Sequence, residues 1–227
     1  MADDSFAIGT FLHYLPATVR ERLLALGSAV AFPAGRTLIR QGEPGGPVFV
    51  LLEAVVKVTA RLENGAEALL SVRVSGDIVG DMAPLTHSPR SASVITCGQS
   101  WVSVIKGQVF VDFVAASGPA GLAMSRFGGD RLRWANQRRL DLAGYPAEVC
   151  LARVLLALAE RHGHGEGDAL DIGVPLTQAE LGGLIGARQA TVQKALRDLH
   201  RLGLVERGKR RVMITDRPRL VTFAELG

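Results

Sequence analysis

Between about residues 28 and 110, short Val/Ile/Leu-rich runs alternate with the turn-forming stretches "PAGR", "GEPGGP", "ENGAE", "VSGD", "THSPR" and "CGQS". Apolar runs of strand length at roughly ten-residue spacing predict an antiparallel sandwich or barrel-like roll. Ahead of them, "LPATVRERLLALGS" has the period of an amphipathic helix, with Leu23, Leu24 and Leu26 on its inner side. After Gly118 the texture changes to "PAGLAMSRFGGDRLRWANQRRLDLAG", which predicts one long helix with Pro119 near its start and Gly144 near its end. Two stripes run along it. Leu122, Ser125, Gly129, Leu132, Asn136 and Arg139 form one, and Met124, Phe127, Arg131 and Trp134 form the other. One stripe can pack on the helix's own roll and the other on a second copy's helix, so a homodimer is expected.

"YPAEVCLARVLLALAERHG" restarts the helical period, with Pro146 as the expected first helical residue, Gly163 as the stop and Gly144–Tyr145 as a hinge. "HGHGEGD" follows and reads as a glycine-rich surface loop; His162 and His164 have no third ligand at metal-binding spacing. Then come two short amphipathic segments. Thr177 and Glu180 make a T-x-x-E capping box for the first, whose Leu181, Leu184 and Ile185 face inward, and Gly186 permits a sharp turn. On the second, Val192, Ala195, Leu196 and Leu199 form the inner stripe, with Ala190, Lys194, Arg197 and Arg201 opposite and Gln193 beside them. "LVERGKRRVMI" adds two strand-like runs around a basic tip, a β-hairpin wing. Helix, turn, helix and wing in this order predict a reader of double-stranded DNA.

Charge supports that division. Residues 1–118 carry 9 Lys/Arg against 10 Asp/Glu, whereas residues 119–227 carry 17 against 12. The basic half is the one expected to meet a polyanion. The DNA-binding candidates are Thr177, Arg188, Gln189, Ala190, Thr191, Gln193, Lys194, Arg197, Lys209 and Arg210. Gln can pair bidentately with adenine, Lys can reach guanine or phosphate, and Arg neutralises backbone charge. Two cysteines, Cys97 and Cys150, are too few for a disulfide framework or an iron–sulfur cluster, and a reducing cytoplasm is the expected location. "MADDSFAIGT" lacks the basic start and apolar run of a secretory signal, and "PVFVLLEAVVKV" is too short and too charged to span a bilayer, so no membrane role is expected. No Gly-x-Ser-x-Gly, His-Glu-x-x-His or Walker-type stretch is present, which argues against an enzyme.

Within the roll, "GDIVGDMAPLTHSPRSA" sets Gly80 and Asp81 before a short apolar segment and Arg90, Ser91 and Ala92 after it. A helix start and an Arg beside a Ser can hold a phosphate, and the carboxylate can accept from a hydroxyl. Together with the long helix and the winged helix-turn-helix, this stretch makes the chain resemble the cyclic-AMP receptor protein (Crp/Fnr) family over nearly its whole length.

The resemblance implies an α+β protein: an N-terminal antiparallel, cyclic-nucleotide-binding-like β-roll (1–118), a long central dimerisation helix (119–144) and a C-terminal winged helix-turn-helix (145–227). It implies a dimeric regulator controlled by a cyclic nucleotide or another small effector, with an inverted-repeat operator and RNA polymerase as a further partner. The family's iron–sulfur and haem sensors are not expected here, because no Cys cluster is present and a haem would rest on His87 or Cys97 alone. A ligand-independent or partner-controlled regulator with a vestigial pocket is the alternative. By position, the family's phosphate-binding cassette falls on Gly80, Asp81, Met82, Arg90, Ser91 and Ala92, and Asn136 falls where the central helix reaches the nucleobase. Four departures stand out. Asp81 replaces a Glu, about 1.5 Å longer in reach; Ala135 replaces a Thr; Ala54 replaces a turn Gly; and "RQATV" at 188–192 replaces Ser-Arg-Glu-Thr-Val.

Overall fold

The computed structural model describes residues 6–208 and 210–226. The chain divides into two compact units, one running through Arg61 and from Ser71 to Arg133, the other comprising Leu62–Leu70 and Trp134 to the C-terminus. No helix among the described residues is long and apolar enough to cross a membrane.

The first unit opens with α1 (Phe11–Tyr14) and α2 (Ala17–Ala25) and continues into eight strands. These are β1 (Ser28–Phe32), β2 (Thr37–Ile39), β3 (Val48–Glu53), β4 (Val56–Arg61), β5 (Glu67–Arg73), β6 (Ile78–Val79), β7 (Ser93–Thr96) and β8 (Ser100–Ile105). They form two four-stranded sheets, ordered β1-β8-β3-β6 and β2-β7-β4-β5. A short helix, α3 (Met82–Thr86), interrupts the strands after β6; α4 (Gly107–Ala116) follows β8, and α5 (Gly118–Gly144) continues for 27 residues. The strands build the predicted antiparallel roll.

Two apolar clusters hold this unit. Ile39, Phe49, Leu51, Val56, Val79, Val94 and Val102 fill the space between the sheets. Helices pack on its outside through Phe11, Leu12, Leu23, Phe110, Phe113 and Phe127. The Phe11 ring meets Phe127 edge-on at 5.8 Å and Phe110 at 6.2 Å, geometries that add about 0.5–1.5 kcal/mol per pair to the area buried. Leu26 departs from expectation. The helix ends at Ala25, leaving Leu26 as its C-cap and 40% exposed, because a stripe is carried inward only while the helix lasts. Ala54, in the turn between β3 and β4, is buried, and its N–H donates to Ser75 Oγ at 3.1 Å. It is not among the residues with positive φ, so this turn does not require the glycine of the family pattern.

The second unit begins with the C-terminal turns of α5 and with α6 (Ala147–His162). Pro146 is the N-cap of α6 rather than its first helical residue, at φ −64° and ψ 159°, since extended ψ lets the chain turn before the helix begins. The "HGHGEGD" stretch is a correction. It forms a hairpin, β9 (His164–Glu166) and β10 (Ala169–Asp171), registered by pairs such as Leu170 with Gly165. Beyond it lie α7 (Gln178–Leu184), α8 (Gln189–Arg201), β11 (Val205–Arg207), β12 (Val212–Ile214) and α9 (Arg217–Leu226). The sheet order β11-β12-β10-β9 joins the wing to the unexpected hairpin. Both α8 and α9 pack on α6, whose Leu151, Leu155 and Leu158 are buried.

Candidate effector pocket and nucleic-acid interface

Six of the seven sequence-derived effector residues, Gly80, Asp81, Met82, Arg90, Ser91 and Ala92, line one pocket of the roll, which is completed by apolar side chains such as Ile39 and Val94. Asn136 is not among its lining residues; it is an exposed residue of α5.

Arg90 organises this wall. It is 6% exposed, and its Nη1 and Nη2 donate to the carbonyls of Gly80 at 2.5 Å and Pro47 at 2.7 Å. Burial pulls its pKa below the ordinary value, opposed by the Asp81 and Glu43 carboxylates. Gly80 is required there: its φ is +83°, and a Cβ would lie 2.7 Å from Arg90 Nη1 and 2.8 Å from Ile39 Cδ1. The short helix contributes less than the sequence implies. Asp81 caps α3 without a side-chain capping bond, and α3 has only five residues, so the positive charge of this wall rests on a side chain.

The carboxylate of Asp81 turns instead to Arg131, whose Nη1 lies 3.1 Å from Oδ2 and 3.3 Å from Oδ1. The two side chains are 5% and 25% exposed. Arg131 also stands 5.1 Å from the Phe127 ring centroid, in the same stripe of α5. Sequence reading placed Arg131 on that stripe but gave it no role in the pocket. The available signal is a lone cation within an otherwise apolar or aromatic helical stripe, which needs an acid across from it.

In the second unit the helix pair has its expected local chemistry. Thr177 Oγ1 accepts from the Glu180 N–H at 3.2 Å, and Glu180 Oε2 accepts from the Thr177 N–H at 2.7 Å, a complete capping box. Gly186, at φ +58°, makes the turn, and a Cβ there would meet Leu142 Cδ1 at 2.9 Å. Val192, Ala195, Leu196 and Leu199 bury one face of α8, leaving Gln189, Ala190, Thr191, Gln193, Lys194 and Arg197 exposed on the rest. Arg188 is the exposed N-cap and makes no side-chain capping bond.

The wing is braced. Arg211 Nη2 lies 2.6 Å from Asp171 Oδ2, and the side-chain amide of Gln178 faces the Arg207 guanidinium at 2.8 and 2.9 Å. Arg210 is exposed at the turn with φ +65°. Lys209 lies outside the described residues. Thr177 stays half-buried in its capping box, while the other described candidates share the exposed surface of α8 and the wing.

Known proteins carry the same pair of modules. The cyclic nucleotide-binding domain family matches residues 29–117, and the Crp-like helix-turn-helix domain family matches residues 151–223. A roll of the first type and a DNA-binding element of the second define a DNA-binding transcription regulator with a cyclic nucleotide-binding-type domain. The chain is 31% identical over 195 residues, 86% of its length and 87% of the relative's, to the CRP-like cAMP-activated global transcriptional regulator of Mycobacterium tuberculosis. It is 25% identical over 178 residues, 77% of this chain and 83% of that one, to the cAMP-activated global transcriptional regulator CRP of Salmonella typhimurium. The c-di-GMP responsive global regulator CLP of Xanthomonas campestris has the same fold, with a TM-score of 0.73 and 23% identity across 88% of this chain and 99% of that one. The chain belongs to the Crp/Fnr family of transcriptional regulators.

Proposed function

We propose that this protein is a homodimeric transcription regulator whose roll pocket takes a small phosphate-bearing effector and whose α8 and wing read an inverted-repeat operator. The observation that carries the effector half is Arg90: a buried guanidinium, anchored by two backbone carbonyls, in a wall shared with Gly80, Asp81, Ser91 and Ala92. Such a group is preorganised to receive an anion. The named relatives respond to cyclic AMP or c-di-GMP, which makes cyclic nucleotides the first ligands to try. Residues 1–118 sense, 119–144 dimerise and 145–227 bind DNA in the cytoplasm, with RNA polymerase as a further partner and no catalytic step.

Dimerisation is supported by α5. Leu122 and Leu132 are 53% and 62% exposed, and Ser125, Asn136 and Arg139 are exposed on the same stripe. A second copy covers such a seam at coiled-coil spacing, and Asn136 would then reach an effector from within it. On DNA, Gln189, Gln193 and Lys194 are the base readers. Arg188, Arg197, Lys209 and Arg210 hold phosphates, and Ala190 and Thr191 set close approach. Because Ala190 stands where the family has Glu, the preferred half-site shifts toward adenine at the position that residue reads.

Calorimetry with cyclic AMP, cyclic GMP and cyclic dinucleotides tests the effector half. Heat with at least one, with affinity reduced about tenfold or more in Arg90→Ala, is the expected result. A ligand-independent regulator is favoured by one observation, the pairing of the short Asp81 with Arg131 where Ala135 brings no hydroxyl. No heat with any of these ligands, together with operator binding unchanged by them, would establish it instead.

A further inference from the structure

The inner stripe of α5 continues past Trp134 to Arg138 and Asp141, on the face of the helix opposite the exposed Leu132–Asn136 seam. There, within the second unit, α5, α6 and α9 line a solvent-open cleft of about 520 Å³, inside the range of small-molecule sites. Its walls divide by chemistry. Val154, Ala157, Val221 and Ala224 supply an apolar side, and Trp134 and Tyr145 supply aromatic faces.

Two arginines line it, and their situations differ. Arg153 is anchored: Nε donates to the Ala224 carbonyl at 2.9 Å, Nη1 donates to Asp141 Oδ1 at 2.6 Å, and the guanidinium lies 3.8 Å from the Tyr145 centroid. Asp141 Oδ1 also accepts from Gln137 Nε2 at 3.0 Å. Arg138 stacks on the Trp134 ring, 4.8 Å from its Cζ, and feels the Asp141 carboxylate only through its charge. Its Nη1 and Nη2 are both buried and have no hydrogen-bond partner. Burial pulls its pKa down to about 10, which still leaves it charged at neutral pH.

A desolvated guanidinium with two unfilled donors is costly in an otherwise satisfied wall, and two parallel N–H groups match a carboxylate. We propose that this cleft is a second ligand site, sharing no residue with the roll pocket, that takes a small organic monocarboxylate with an apolar or aromatic body. The carboxylate sits on Nη1 and Nη2 of Arg138, and the body lies between Trp134 and the Val154–Ala157–Val221–Ala224 wall. Asp141 and the exposed Glu225 add negative charge to the lining, which disfavours a dianion. The apolar side offers nothing to a ribose.

The chain has two tryptophans, so Trp101→Phe, at an exposed site, leaves Trp134 as the sole reporter in the full-length protein. The probes are 3-phenylpropionate and 4-methylpentanoate, with 3-phenylpropanamide as the uncharged control. A saturable change in Trp134 emission is expected with at least one acid, with Kd between about 10 µM and 1 mM. Binding should weaken about tenfold or more for the amide and in Arg138→Gln. Ala157→Phe fills the apolar wall and should abolish the response, so it carries the test if Arg138→Gln does not fold. The proposal is overturned if the folded parent gives no saturable response to either acid, if the amide binds as well as the acid, or if a folded Arg138→Gln or Ala157→Phe protein binds as tightly as the parent.

Discussion

Replacing Arg131 with Gln should destabilise the first unit far more than its partly exposed position suggests. The cation is 25% exposed, but the carboxylate it faces, Asp81, is only 5% exposed. Removing the cation strands a buried charge, and breaking a buried pair from one side costs roughly 3–5 kcal/mol. Solvent access to Arg131 trims this to about 2–4 kcal/mol. Asp81→Asn should be milder, about 1–2 kcal/mol, because the longer and more exposed guanidinium can turn to water. The double variant removes the stranded charge, so it should also cost only about 1–2 kcal/mol, and the two effects should fail to add by about 2–4 kcal/mol. Urea unfolding of the four proteins at one fixed protein concentration, which holds any self-association constant, measures the cycle. Additivity within about 0.5 kcal/mol would refute the reasoning. So would an Arg131→Gln protein as stable as its parent.

Thr177→Ala removes the hydroxyl of the capping box and should lower stability by about 0.5–2 kcal/mol in urea unfolding, while leaving the order of preference among DNA sequences unchanged; a changed order would mean that Thr177 also contacts bases. Leu132→Glu places a charge in the exposed seam of α5 and should turn a dimer into a monomer in sedimentation at micromolar concentration; an unaffected dimer would remove the seam from the interface. Burial depresses the pKa of His162 from 6.5 to about 4, and its Nδ1 has no hydrogen-bond partner. The unfolded chain therefore binds the proton first. The stability held above pH 6.5 should fall as pH drops towards 4, by on the order of 3 kcal/mol, and His162→Gln should flatten that slope in pH-dependent unfolding.

The helix-turn-helix is legible in the sequence because each of its determinants is local. Thr177 and Glu180 are three residues apart, Gly186 marks its own left-handed turn, and the stripe from Val192 to Leu199 repeats at helical spacing. Where the signal is not carried by side chains, it fades. In "HGHGEGD" the paired residues include Gly165, whose lack of a side chain erases the two-residue alternation and whose φ of +157° is one that residues with a side chain rarely adopt. Leu26 fails for a related reason, since periodicity shows which face a helix buries but not where the last turn stops. The roll's turns announce themselves, but not the partition of its eight strands into two sheets, which depends on which distant strands pair.

The candidate effector pocket combines both situations. Its cassette is compact in sequence, from Gly80 to Ala92, so the residues of its wall can be listed without the fold. The partner of Asp81, however, lies 50 residues further on, at Arg131, and no local pattern selects one cation on a long helix over its neighbours. That pairing does not exhaust the hydrogen-bonding capacity of the pocket wall. A carboxylate has about four acceptor positions, and Asp81 offers its two oxygens to a single N–H-bearing nitrogen of Arg131, so capacity remains for a ligand hydroxyl. Arg90 donates from Nη1 and Nη2 to Gly80 and Pro47, but a guanidinium has five N–H groups, and three are not used in those two bonds. Both charged groups are thus held in place by the protein and still have valence to offer. Fixing them beforehand lowers the ordering cost of binding, so the contacts that resemble a vestigial, self-satisfied pocket are the ones a preorganised anion site requires.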